Sequence, residues 1–314
     1  MLELLLAVAL GVLLGMAAGL LPGLHPNTMI PILLGAAVFL DPLTAAVVLV
    51  AAGTANLFLN FIPSVLLGAP EETTVLSVLP GHKLLLEGRG YEAVKLLVTG
   101  ALCATVMAFL SFPLFSIAVP PLYAASRPHL WWLLSLVVAY MVITERRPKA
   151  VAFALLTVVL SGALGVIVLN DFPDSMLFPM LSGLFGLPML LLSARKGVKL
   201  PENISFEERP LPKRFVLSGV LAGTLAGVIA GLLPGVGSSQ AAILAQLATE
   251  KTRESARRFL IALGGVNAAD TVFSFFALWL IGNPRSGLSV AVSRLIQVTT
   301  ANLCVIIFVV LAAA

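Results

Sequence analysis

Two apolar stretches of this chain follow one plan. Gly11, Gly15 and Gly19 lead into Leu20-Leu21-Pro22-Gly23, and Gly223, Gly227 and Gly231 lead into Leu232-Leu233-Pro234-Gly235, 212 residues further on. Glycine at every fourth position lines one helix face and lets a second backbone approach closely. Proline followed by glycine then stops the helix. Each segment is therefore an apolar helix broken before it comfortably crosses a bilayer. A chain that repeats such a break must fold as helices around two interrupted elements.

The rest of the composition puts those elements in a membrane. Of 314 residues, 59% are hydrophobic and 11% charged, more apolar surface than a soluble domain of this length can hide. Apolar runs fall at about 2–21, 28–40, 43–67, 93–118, 129–144, 149–169, 175–193, 214–233, 239–249, 259–281 and 297–314. The N-terminus lacks a basic region and a cleavage site, so it reads as the first membrane element and not a signal. The net charge of +4 resides in short loops between runs, where the positive-inside bias places it; it marks topology and not nucleic acid. Cys103 and Cys304 lie in apolar runs and the three histidines are scattered, so neither a disulfide framework nor a metal-ligand spacing is present.

The expected fold is an all-α polytopic membrane protein of two inverted-topology repeats, each with a Pro-Gly-broken re-entrant helical hairpin, plus scaffold helices. Segments 28–40 and 239–249 are too short to span and follow the breaks, as the returning arms of hairpins would. The second hairpin opens from a basic loop (Arg195 to Arg214) and closes at Lys251, Arg253, Arg257 and Arg258; the first closes at Asp41 with no basic residue. Opposite charge at equivalent ends implies opposite orientation. Arg127 alone falls on the wrong side of this pattern. The repeat continues from Gly53-Thr-Ala-Asn56 to Gly264-Gly265-Val-Asn267, offset by 211, and from Gly68-Ala-Pro70 to Gly282-Asn-Pro284, offset by 214. The resulting divisions are a first repeat over 1–118, with an amphipathic loop at 73–92, scaffold helices over 119–199, a cytoplasmic linker at 200–213, and a shortened second repeat over 214–314.

A half-helix starting at mid-membrane presents unpaired N–H groups and a positive dipole end, which suit an anion. At the first break the candidates are Gly23, Asn27 and Thr28; at the second they are Gly235, Gly237, Ser238, Ser239 and Gln240. Asn27, Ser238 and Ser239 could equally cap their own helices. Asn56, Asn60, Asn267, Asp270 and Thr271 lie in otherwise apolar stretches, where polar groups are costly. Asp270 stands three residues after Asn267, on roughly the same helical face. It is the candidate to hold a cation or carry a proton, with a structural interhelical bond as the alternative.

The ordered motifs Gly-Leu-Leu-Pro-Gly-Leu-His-Pro-Asn-Thr28, Gly68-Ala-Pro-Glu-Glu-Thr, Leu79-Pro-Gly-His82, Glu87-Gly-Arg-Gly-Tyr-Glu-Ala93 and Gly-Leu-Leu-Pro-Gly-Val-Gly-Ser-Ser-Gln240 resemble the large permease subunit of tripartite tricarboxylate transporters, particularly its shorter archaeal-type members. The resemblance covers most of the chain. It implies ion-gradient-driven carboxylate transport across the cytoplasmic membrane, with the two Pro-Gly tips touching substrate. It also implies a small membrane subunit and an extracytoplasmic solute-binding protein as partners. The region around Asn267 and Asp270 is only loosely similar to the Asn-rich segment of bacterial members, so the particular carboxylate does not carry over. The chain is short for the family; a reduced scaffold, a homo-oligomer or an incomplete sequence would each account for that.

Secondary transport of a small di- or tricarboxylate, coupled to Na+ or H+ and needing no resident cofactor, is the leading reading. Translocation of a lipid-linked phosphate is the alternative, since Gly-Ser-Ser at a helix start suits phosphate. An intramembrane enzyme would need a nucleophile with a base in reach, and Ser238 and Ser239 have no histidine nearby in sequence. A scaffold without transport would leave the polar tips unexplained.

Overall fold

A computed structural model describes residues 2–21, 26–36, 39–67, 78–143, 145, 147–171, 191, 210–233, 236–249 and 254–314. Its elements are helices: α1 (Leu2–Leu20), α2 (Pro26–Ala36), α3 (Pro42–Leu59), α4 (Phe61–Leu66), α5 (Val78–Leu86), α6 (Gly90–Leu110), α7 (Phe112–Ser126), α8 (Leu130–Ile143), α9 (Pro148–Asp171), α10 (Lys213–Leu232), α11 (Ser238–Thr249), α12 (Ser255–Ile281), α13 (Gly287–Leu295) and α14 (Thr300–Ala313). Among the described residues, six spans are long and apolar enough to cross a membrane: α1, α3 with α4, α6, most of α9, α10 and α12. The protein is a multi-pass helical membrane protein. Most of the segment expected to be helical at 175–193 and most of the 200–213 linker lie outside the described residues.

The glycine ladders do what their spacing implies. A Cβ added to Gly11, Gly15 or Gly19 would meet the carbonyls of Val48, Ala52 and Asn56; one added to Gly223, Gly227 or Gly231 would meet those of Ala262, Val266 and Asp270. Thus α1 lies along α3, and α10 along α12, at backbone contact. The ladder glycines are offset by 212 but their carbonyl partners by 214. Packing therefore pairs Asn56 with Asp270, Gly53 with Asn267 and Asn60 with Ser274, replacing the offset of 211 that the sequence suggests. Three residues are almost one helical turn, so both registers keep similar faces, and only the contacts distinguish them.

Two features mark α3 and α12. The first is interrupted at Asn60 and resumes at Phe61, where Pro63 has no N–H to give the Leu59 carbonyl. The second runs uninterrupted for 27 residues, about 40 Å, and ends at Gly282, whose φ of 64° is the left-handed cap that suits glycine. The halves are cross-packed: α6 of the first lies on α12, and α14 of the second lies on α3. At the α6–α12 crossing, a Cβ on Gly100 would strike the Ile261 carbonyl and one on Gly264 the Leu97 carbonyl.

An ion cluster fastens the starts of α6 and α12. The Glu92 carboxylate, 4% exposed, lies 2.7 Å from Arg257 Nε and 2.7 Å from Arg89 Nη2. Glu254 and Glu87 hold the outer edges of those guanidiniums at 2.9 and 3.2 Å. Two short helices were not distinguished in the sequence. The stretch expected as an amphipathic loop contains α5, and α13 follows a capping box between Ser286 and Ser289.

Candidate functional site at the second helix break

The second break sits beside the deep acid. Gly219 faces the Arg258 carbonyl and Gly231 faces Asp270 and Phe273, so α10 and α12 rise in the same direction. The end of α10 reaches Asp270, the sixteenth residue of α12. From the break, α11 packs on both α10 and α12. Ala241, Ala242 and Ala245 of α11 are buried with Phe259 to Leu263, near the beginning of α12.

At the level of the break the Ser238 hydroxyl donates to Asp270 Oδ2 at 2.6 Å, with Ser238 5% exposed. Ser238 and Asp270, expected as substrate contact and coupling residue respectively, thus form one unit. Gln240 turns back on its own helix. Its Oε1 accepts the Gly237 N–H at 3.0 Å and the Ser239 hydroxyl at 3.2 Å, half of a capping box. With glycine at the N-cap, no side chain at that position covers the first-turn N–H groups.

Further polar residues lie within α3 and α12. Asn56, Asn60 and Asn267 are all buried, and Thr271 donates to the Asn267 carbonyl at 3.2 Å. Ser274, one turn above Asp270 and fully buried, has no partner for its hydroxyl. It was not singled out in the sequence, although its spacing of four from Asp270 places it on the same face. The packing register makes one side of this arrangement neutral, at Asn56, and the other ionisable, at Asp270. Gly227 and Gly231 lie against the Asp270 backbone, fixing its height. Of the first tip, Gly23 is outside the described residues, as is Gly235 of the second. Asn27 and Thr28 lie in the first turn of α2, and their side chains are outside what the structure describes.

The model of the tripartite tricarboxylate transporter TctA family matches residues 5–312. The chain belongs to that family. The TctA match takes in both broken helices, the cross-packed α6 and α14 helices and the Ser238–Asp270 pair. An uncharacterized protein of the archaeon Methanocaldococcus jannaschii is 30% identical over 252 residues, covering 78% of this chain. This TctA-family chain spans 60% of that relative's length. No solved structure matches.

Proposed function

We propose that this chain moves a small di- or tricarboxylate across the cytoplasmic membrane by secondary active transport, coupled to Na+ or H+. The observation that carries this is the Ser238–Asp270 hydrogen bond at the break between α10 and α11. It joins a helix start suited to an anion with a deep carboxylate suited to a cation. A carboxylate entering a low-dielectric site brings negative charge, and a half-helix N-terminus supplies only about half a unit of positive charge. A co-bound cation or proton at Asp270 supplies the rest. The side-chain carbonyls of Asn56 and Asn267 and the Leu59 carbonyl that Pro63 cannot serve are further oxygen ligands for Na+. Membership of the family supports a small membrane subunit and an extracytoplasmic binding protein as partners. The opposite charge at the two hairpin exits supports the inverted, re-entrant reading of the two hairpins, with one unit moving against the other to alternate access.

The test is uptake into liposomes carrying the purified chain. Labelled citrate and succinate are offered with an imposed Na+ or proton gradient, for the parent and for Asp270→Asn. The parent accumulates substrate under one gradient, and the variant inserts but no longer accumulates. Accumulation by the variant equal to that of the parent would place coupling elsewhere.

A further inference from the structure

The bend after α12 holds a cation that the Ser238–Asp270 site does not use. Arg285 follows Gly282-Asn-Pro284. Its backbone is pinned, because the N–H groups of Arg285 and Ser286 both donate to Ser289 Oγ at 3.0 Å. Its guanidinium lies over the Tyr123 ring, 5.2 Å from the centroid, within range of a cation–π contact. The Tyr123 hydroxyl accepts from Asn283 Nδ2 at 2.9 Å, so α7 and the bend form one wall. Arg285 Nε and Nη2 are both buried and neither has a hydrogen-bond acceptor.

Those two nitrogens form one edge of the guanidinium, the edge that presents parallel N–H groups to a planar pair of oxygens. A buried guanidinium edge left unpaired is expensive, and an anion removes that cost. The ring stack and the fixed backbone hold the edge still before anything binds, which limits the ordering cost. Beside it, Tyr123 also lines an apolar crevice of about 170 Å³ between α7, the end of α10 and Ile281. The positive-inside bias puts the start of α12 at the cytoplasmic face and this bend at the opposite one. Exposed Arg127, the charge that breaks the sequence pattern, lies at the end of α7, four residues from Tyr123.

We propose that Arg285, with Tyr123 and Asn283, forms an oxyanion site on the outer side of the protein that takes a carboxylate or phosphate group in two parallel N–H···O bonds. The group comes either from a free carboxylate or from a lipid headgroup. This site is separate from the helix break and stands whether or not Ser238 and Asp270 carry transport.

The probe is the Nε–H resonance of Arg285 in full-length protein labelled with 15Nε-arginine in phosphatidylcholine nanodiscs, assigned by its loss in Arg285→Lys. Titration with citrate should move the resonance saturably and slow its exchange with water roughly tenfold, as a charge-assisted bond replaces solvent. The same change on adding phosphatidylglycerol to the disc, without citrate, would identify the lipid headgroup as the source. In Ser238→Ala the response should persist. The proposal is overturned if neither citrate nor phosphatidylglycerol affects the resonance, or if the response disappears with the Ser238 hydroxyl, since the change would then be relayed from the helix break.

Discussion

Removing the Glu92 carboxylate should be among the most destabilising single changes in this chain. Glu92 is 4% exposed and lies between Arg257 and Arg89, whose side chains are 8% and 13% exposed. In Glu92→Ala both guanidiniums remain in place while their shared counter-charge is lost. Glu254 and Glu87 still reach their outer edges, but these are 37% and 45% exposed and screened by water. Breaking a buried pair from one side costs about 3–5 kcal/mol, and the two outer carboxylates favour the lower end, about 3 kcal/mol. Arg257→Met added to Glu92→Leu removes the charges from both sides of the α6–α12 contact and should recover much of that loss, because a well-packed apolar pair can replace a buried ion pair. Equilibrium unfolding in mixed micelles, run as a double-mutant cycle, measures both quantities. A loss below about 1 kcal/mol for Glu92→Ala, or a double variant no more stable than the sum of its parts, would show that the cluster is a solvated surface feature.

Other expectations follow from single contacts. Gly100→Ala places a methyl on the Ile261 carbonyl and should cost about 1–3 kcal/mol by forcing α6 from α12, seen as a lower midpoint in the same unfolding assay. Gly162→Ala in α9 meets nothing within 4 Å and should instead stabilise by roughly 0.5–1 kcal/mol through helix propensity. Asp41 caps α3, and hydrogen bonds from the Thr44 side chain, then from the Thr44 and Leu43 N–H groups, hold its carboxyl below the ordinary 3.8. Because the folded value is depressed, the cap is fully present above 3.8 and disappears as pH falls through the folded value. Amide exchange at Leu43 and Thr44 should therefore accelerate only in that acid range, whereas in Asp41→Ala it should be fast at neutral pH.

The membrane class and the ends of α1 and α10 were legible in the sequence because each rests on local chemistry. Apolar runs of this length are helical in lipid, and α1 and α10 end at Leu20 and Leu232, just before their Pro-Gly pairs, whereas Pro80-Gly81 is accommodated near the start of α5. The Asp41 cap bonds only two and three residues away and is equally local, but it was not read from the sequence. The short helix α13 was missed because Arg294 and polar residues dilute its apolar run, although Ser286 and Ser289 carry a readable capping signal. Ser274 was missed because a serine in a helix raises no alarm until its burial is known.

What only tertiary structure decided is which distant residues meet. Sequence periodicity marked Asn267 and Asp270 as sharing a face but paired Asn56 with the wrong one. The register was fixed by glycines of α1 and α10 seating on particular carbonyls of α3 and α12. Glu92 with Arg257, and Tyr123 with Asn283 and Arg285, are joined across long stretches of chain by the packing of α6 and α7 on α12. Helix formation is encoded within a few residues by backbone hydrogen bonding. The partnering of charges is not, because it depends on where whole helices come to rest.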